Sequence, residues 1–403
     1  MPNTFLTTSK ILRRSLPIFE NNLVCGRFVN KEYSPQFAQT GGKIGDTVSV
    51  RRPPRYLTEE GELMIEQDVE ESTVQITLDK QDHVAASITN RELLLDIDDF
   101  QERVLEPWVA ALAAKYDQRV LGNYREFYNS VGAVGSVPNT LLTYLQAKAK
   151  LMDEAVPQNM LAVFLSPTME ITLVDALKGL FQQANAIADQ YMKGQMGRAA
   201  GFTFYMDQQV ATHTFGPLGG TPTVTGAGQS GSSLITGAWT AAAANRLKRG
   251  DIFTLANVNA VNPFSRESTG VLRQFVATAD VDSDGAGAAT IPLYPPIFAS
   301  GKDQTVDALP ANLAALTMVG TTNVLAKQGL AIHRDAITVA SVDLEEVSGA
   351  DMFGTLSDDQ LGISLTLWRD GDIRSYKKLT RLDMLTGSKV TRPEAGCRIQ
   401  SAQ

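Results

Sequence analysis

Asp280, Asp282 and Asp284, followed by Gly285, have the residue types and spacing that open a calcium-binding loop. Such a loop completes its coordination with a bidentate glutamate at its twelfth position. Here that position is Ile291, so a β-turn is the better reading. Gly226, Gly228 and Gly231 match a dinucleotide-binding fingerprint, whose glycines let the backbone approach a pyrophosphate at a helix N-terminus. The residues that follow, Ser232 to Gly237, do not open a helix, and no nucleotide site is expected. Arg249-Gly250-Asp251 spells a cell-adhesion tripeptide but stands just before Ile252-Phe253 and reads as a tight turn. His83, His213 and His333 have no metal-ligand spacing with one another or with Cys25 and Cys397. There is no Gly-x-Ser-x-Gly elbow and no Walker loop. Neither an active site nor a cofactor is expected.

The chemistry that remains is electrostatic. Residues 1–57 carry nine Lys or Arg against three Asp or Glu, a net of +6; residues 58–82 carry nine acids against one base, a net of −8. Glu59, Glu60, Glu62 and Glu66 crowd the start of the acidic block. A solvated hairpin tip accounts for that block. So does an extended acidic hairpin that reaches a basic surface on a neighbouring copy, since complementary patches steer and register partners more than they add affinity. The cations open to such a contact are Arg13, Arg14, Arg51, Arg52 and Arg55, or Arg374, Lys377 and Lys378 towards the other end.

Two strands must carry the acidic block. Gly45 to Arg52 alternates small or apolar with polar residues, and Pro53-Pro54 ends it. Thr73 to Asp79 alternates cleanly and should pair back with it. The loop between them has few hydrophobics, and loops of that length in a compact domain usually have a job. Ahead lies an arm, residues 1–40, with a helix from near Ser9 carrying Ile11, Leu12, Leu16 and Phe19; it is too short to stand alone. Behind, Thr89 and Glu92 have capping-box spacing, and Leu105, Trp108, Leu112, Tyr116, Val120 and Phe127 recur mostly at steps of three or four. The pattern predicts one long helix from Thr89 to about Asn129, with Pro107 at a bend or a first turn. At ~1.5 Å per residue such a helix would reach roughly 45 to 60 Å.

Further along, Pro138 to Val156 reads as an amphipathic helix and Leu161 to Leu165 as a short buried strand. Pro167 sits in the first turn of a helix reaching Phe181, and Phe202 to Tyr205 is another strand. This mixture indicates an α+β layer. From about His213 to Gly329 the chain turns rich in Gly, Ala, Thr, Val and Asn. Short β-like runs there (Ile252–Leu255, Gln274–Thr278, Thr290–Leu293) are separated by turns at Lys248–Asp251, Asn262–Pro263 and Asp282–Gly285. The pattern predicts a small barrel or sandwich inserted as its own domain. Gly362 to Gln403 offers long alternating strands and a basic tail.

Bulk composition sets the class. The 403 residues are 43% hydrophobic and 20% charged, ordinary for two or three globular domains. A net charge of −8 argues against nucleic-acid binding over the whole surface. Two cysteines near opposite ends read as thiols in a reducing compartment. The longest nearly apolar run, Trp108–Ala114, is far too short to span a bilayer. Lys10, Arg13 and Arg14 are not followed by the apolar segment of a secretory signal. A soluble, intracellularly made protein without membrane contact is expected.

The run Asn21-Asn22-Leu23-Val24-Cys25-Gly26-Arg27-Phe28-Val29-Asn30, continued at Gly45 to Val50, resembles the entry of tailed-bacteriophage major capsid proteins. It leads into the prolines, the acidic hairpin and the stretch Glu102–Arg125, which resembles their spine helix. Gly329 to Ala336 resembles the return to their outer domain, and Thr380 to Glu394 their terminal segment. Leu247 to Phe253 is similar to the inserted barrel in coat proteins of short-tailed enterobacterial phages.

The resemblance implies an α+β capsid fold in six parts: an N-terminal arm (1–40), an extended loop with flanking strands (41–88), and a peripheral domain with the spine helix (89–137). An axial domain (138–212), an inserted all-β barrel (213–329) and a return through axial and peripheral domains (330–403) complete it. It also implies pentamers and hexamers in an icosahedral shell around double-stranded DNA, which the inner surface meets without sequence specificity. Scaffolding and portal proteins, and a decoration protein in some shells, are the implied partners; the virion, assembled in the host cytoplasm, is the implied location. Between Trp239 and Lys248 the chain is short and alanine-rich, where similar coat proteins carry a longer charged loop that contacts a neighbouring capsomer. A latch by that loop is not implied, and non-covalent contacts are the default. The alternative is a soluble binding module whose β-rich insertion recognises a ligand.

Overall fold

The computed structural model describes residues 8–32, 47–57, 61, 66–69, 71–89, 105–177, 197–241, 243–345, 352–358, 362–372 and 377–402. It divides into one unit of residues 1–52, 73–120 and 337–391, and another of residues 53–72, 121–336 and 392–403.

The first unit is built on the fourteen-residue strand Lys377–Val390. Its early half pairs with Ile363–Asp372 on one side and Lys80–Thr89 on the other, and its late half pairs with Ile337–Val342. Met352–Asp358 extends the sheet beyond Ile363–Asp372. The alternating strands flanking the acidic block form the expected antiparallel hairpin, Thr47–Arg51 with Thr73–Thr77. Its apolar residues Val50 and Ile76 join Leu78, Ala340, Val342 and Leu385 in a small core. Gly387 makes this possible, because a Cβ there would lie 2.4 Å from the Thr77 carbonyl.

The arm helix runs Thr8–Asn22 and buries Ile11, Leu12 and Phe19. A single carboxylate ties the chain that follows: Asp117 accepts the backbone N–H of Val24 at 2.9 Å and of Gly26 at 2.6 Å. Asp117 belongs to the helix Glu106–Gly122, whose buried face is Val109, Leu112, Ala113, Tyr116 and Val120. The sequence predicted a helix from Thr89 to about Asn129, and residues 90–104 of that stretch lie outside the described residues. The described helix has 17 residues, about 25 Å at 1.5 Å per residue, with Pro107 in its first turn. At Gly122 the chain tightens into a 3₁₀ turn, Asn123–Glu126, so Phe127 continues the spacing but not the helix. Thr89 is the last residue of a strand, opposite Lys377, and Glu92 lies outside the described residues.

The second unit holds a mixed sheet in the order Asn129–Gly132, Gly396–Ser401, Leu325–His333, Leu161–Leu165, Phe202–Met206 and Arg198–Ala199. Helices Leu141–Asp153 and Pro167–Leu177 accompany it. Leu161–Leu165 is buried throughout, as its unbroken apolar run predicts. The segment rich in Gly, Ala and Thr forms a six-stranded sheet in the order Leu316–Met318, Ile252–Val261, Ser268–Ala277, Ala289–Ile297, Gly231–Trp239 and Gly220–Val224. The two outermost strands meet: Thr223 bridges Ala315, Val224 donates its N–H to the Ala314 carbonyl at 3.0 Å, and Leu313 donates to Val224 at 2.9 Å. The sheet therefore closes into a barrel around Phe253, Phe275, Leu234, Ile291 and Leu293.

Charged groups fasten this barrel to the helix Leu141–Asp153 and the mixed sheet. Arg273 donates to Glu154 at 2.5 Å, with both side chains over nine-tenths buried, and lies over the Tyr128 ring. Gln274 accepts from the Ser130 backbone at 2.7 Å and from the Lys150 ammonium at 2.5 Å. Removing one partner of a buried pair strands the other charge. We expect Glu154→Ala to lower unfolding stability by about 3–5 kcal/mol, and the pair replacement Glu154→Gln with Arg273→Met to recover most of it. Urea unfolding of the three variants checks this.

Candidate functional site

Pro53 and Pro54 lead out of the hairpin into the acidic loop, and one side chain clasps the loop's two arms. Gln67 accepts the Leu57 backbone N–H at 2.9 Å and returns its own amide to the Leu57 carbonyl at 2.7 Å. Glu66, beside this clasp, is exposed and has no ion-pair partner among the described residues. Tyr56 and Val69 are exposed on the same loop. Glu59, Glu60, Glu62 and Arg374 lie outside the described residues.

The candidate cations fall on different elements. Arg13 and Arg14 are on the exposed side of the arm helix, away from Ile11, Leu12 and Phe19. Arg51 is exposed at the end of its strand. Arg52 is partly engaged in its own unit, donating Nε to the Thr391 carbonyl at 2.7 Å. Arg55 is half-buried and close enough to Arg266 to matter: the Arg266 pKa is lowered, first by burial and then by the Arg55 charge. Lys377 and Lys378 stand in the long strand opposite Thr89 and Ile88. No candidate acid pairs with a candidate base among the described residues.

The motifs weighed for chemistry are turns. Asp284 accepts the backbone N–H of Ala286 and Ala288, both at 2.8 Å, and Asp280 that of Arg249 at 2.7 Å. These carboxylates satisfy backbone donors, and no metal-holding group of acids, histidines or cysteines occurs among the described residues. Gly226 and Gly228 have positive φ in the connection between two barrel strands, with no helix after them. Cys25 and Cys397 are buried thiols, and burial pushes Cys397 up to about 12.

The Asp of Arg249-Gly250-Asp251 anchors a buried cluster that its sequence neighbours did not reveal. Asp251 accepts from His213 Nε2 at 2.8 Å, from the Gly216 N–H at 3.0 Å and from the Lys248 N–H at 2.8 Å. A carboxylate can only accept, so Nε2 carries the proton and Nδ1 is left to accept from Tyr124 Oη at 3.0 Å. Arg398 lies over the Tyr124 ring and donates to the carbonyls of Gly250 at 2.6 Å and Arg125 at 3.1 Å. Tyr, His and Asp in this order resemble a proton relay. With Asp251 and Arg398 wholly buried and His213 3% exposed, no substrate reaches it, and the cluster is a structural joint.

A family model described as P22 coat protein, gene protein 5, matches residues 5–400. Among solved structures the chain is similar to one from Mycobacterium phage Che8 (TM-score 0.46, 11% identity, 94% of this chain and 90% of that one). It is also similar to the asymmetric unit of the bacteriophage PhiM1 mature capsid (0.42, 10%, 89% and 84%). A third is a virus-like particle from Pyrococcus furiosus (0.38, 10%, 98% and 99%). At these scores no functional conclusion rests on the structural likeness. No curated protein matches the sequence.

The buried joint makes stability depend on pH. Burial is the main cause that lowers the His213 pKa from its ordinary 6.5; Asp251 opposes this, and the Arg398 and Arg125 charges add to it. Arg398 already balances Asp251, so a protonated imidazole would be surplus positive charge. His333 is shifted the same way, chiefly by burial. The unfolded chain therefore takes up more protons below about 6.5, and stability falls as pH drops through that range and returns above it. Thermal melts should show a lower Tm at pH 5 than at pH 7, with a smaller difference in His213→Gln.

Proposed function

This chain belongs to the P22 coat protein family and is a structural coat protein, not an enzyme; from that premise we propose that its copies form the pentamers and hexamers of an icosahedral shell that encloses double-stranded DNA. The observation that carries this reading is the family match, which spans nearly the whole chain. The shell is assembled in the bacterial host cytoplasm, with scaffolding and portal proteins and, in some shells, a decoration protein. The layout runs from arm (1–40) and extended loop (41–88) through the spine-helix region (89–137), axial domain (138–212) and inserted barrel (213–329) to the return segment (330–403).

Closed shells need heterologous contacts, in which one surface meets a different surface of the next copy. An acidic loop and a basic arm on one chain supply two such surfaces. Glu59, Glu60, Glu62 and Glu66 lie on cations of a neighbour, drawn from Arg13, Arg14, Arg51, Arg52 and Arg55 or from Arg374, Lys377 and Lys378. The exposure of Glu66 and the clasp that holds the loop arms together support this reading. Each exposed pair contributes only ~0.2–1 kcal/mol, but a shell repeats it in every copy.

Reversing Glu60, Glu62 and Glu66 to lysine should leave the melting of the unassembled chain almost unchanged while blocking or misdirecting shells seen by electron microscopy. Salt should weaken wild-type assembly in the same direction, as the screening length falls from about 10 Å at 0.1 M to about 3 Å at 1 M. Normal shells from the reversed variant at ordinary salt would mean that the loop is merely solvated.

A further inference from the structure

The barrel hairpin between Ile252–Val261 and Ser268–Ala277 ends in a tip held by its own atoms. Asn262 donates its N–H to the Glu267 carbonyl at 3.1 Å, and Arg266 donates its own to the Asn262 carbonyl at 3.0 Å. The Asn262 side-chain oxygen accepts the amides of Phe264 at 2.9 Å and Ser265 at 3.3 Å. These bonds hold Arg266 at φ +60°, a left-handed conformation that few residues other than glycine adopt. The Arg266 guanidinium is not satisfied by this arrangement. Its Nη1 is shut off from solvent and has no hydrogen-bond partner among the described residues. A buried charged donor normally finds an acceptor, because leaving it without one is costly. A second cation stands nearby: burial first, and then the Arg55 charge, lower the Arg266 pKa, against the opposing charge of Asp303. Asp303 is exposed and forms an ion pair with neither arginine among the described residues. Arg55 lies at the root of the acidic loop, two residues before Leu57, whose backbone Gln67 clasps. That loop and the barrel belong to one unit. Two like charges in one unit with no shared acceptor are an arrangement that an anion completes.

We propose that Arg55 and Arg266 together hold a phosphate-class oxyanion, which ties the root of the acidic loop to the barrel hairpin. Two guanidinium forks offer more donors than the two oxygens of a carboxylate can take in parallel pairs. A phosphate group presents three acceptor oxygens and suits both forks at once. With Asp303 counted, the cluster has one positive charge in excess, which the anion offsets. Two exposed rings flank it in sequence: Tyr56 follows Arg55, and Phe264 precedes Arg266 by two residues. Bases stack on rings of this kind, so the phosphate is either free or carried on a nucleotide. Both arginines belong to one chain, and the site does not depend on assembly. Occupied in this way, Arg55 is withdrawn from the cations that acids of a neighbouring copy can use.

Calorimetric titration of the unassembled full-length chain with inorganic phosphate, in chloride buffer of constant ionic strength, tests this. Wild type should bind a single equivalent saturably, and phosphate should raise its Tm. Arg55→Gln and Arg266→Gln should each weaken binding by roughly tenfold or more, with circular dichroism unchanged. Arg266→Lys keeps the charge without the fork and should fall between them and wild type. Arg13→Gln, on the arm helix, should bind as wild type does. Adenosine monophosphate binding more tightly than phosphate, with the gain lost in Phe264→Ala, would assign the site to a nucleotide; equal affinity would assign it to free phosphate. The proposal is overturned if wild type gives no response up to tens of millimolar phosphate, or if both glutamine variants bind as wild type does. Acetate binding as tightly as phosphate would overturn it too, since the site would then take carboxylates.

Discussion

A guanidinium with no exposed surface must find its acceptors inside the protein, and Arg398 does so by drawing distant parts of the chain to one point. Its donors reach the carbonyls of Gly250 and Arg125, and its plane lies over Tyr124. Burial depresses its pKa to about 10, still charged at neutral pH. Asp251 supplies the compensating charge, and neutral His213 links that carboxylate to Tyr124. The strand Gly396–Ser401, the turn entering the barrel, the short strand Thr212–Thr214 and the 3₁₀ turn behind the long helix thus share one joint. A buried cation of this kind adds little net stability by itself. It makes alternative placements of those segments costly.

The same logic recurs at Arg273 with Glu154 and at Asp117 with the Val24 and Gly26 amides. In each case a charged side chain of one element satisfies a group on a segment remote in sequence. Apolar burial fills the barrel and the sheets, while these few directional contacts set how the segments register within each unit. None is exposed enough to be weakened much by salt.

Local pattern carried much of this architecture. Period-two alternation was enough to find the hairpin at Thr47–Arg51 and Thr73–Thr77, and the apolar runs at Ile252–Leu255, Gln274–Thr278 and Thr290–Leu293 located three of the barrel strands, each longer than its run. The ends of the long helix were misplaced because Thr89 and Phe127 both fit its spacing. Thr89 belongs instead to a strand held by Lys377, and Gly122 ends the α-helical hydrogen bonding before Phe127. The buried joint was illegible because Tyr124, His213, Asp251 and Arg398 have no sequence proximity, and Asp251 was hidden in an adhesion-like tripeptide.

The closure of the barrel has a consequence for a chain made in many identical copies. An open sheet of six strands would present two rows of unsatisfied amides and carbonyls, and every sister molecule in the crowded cell would be a template for them. The bonds of Thr223 and Val224 with Leu313–Ala315 join one edge to the other. The barrel can therefore mature beside its neighbours without zipping onto them.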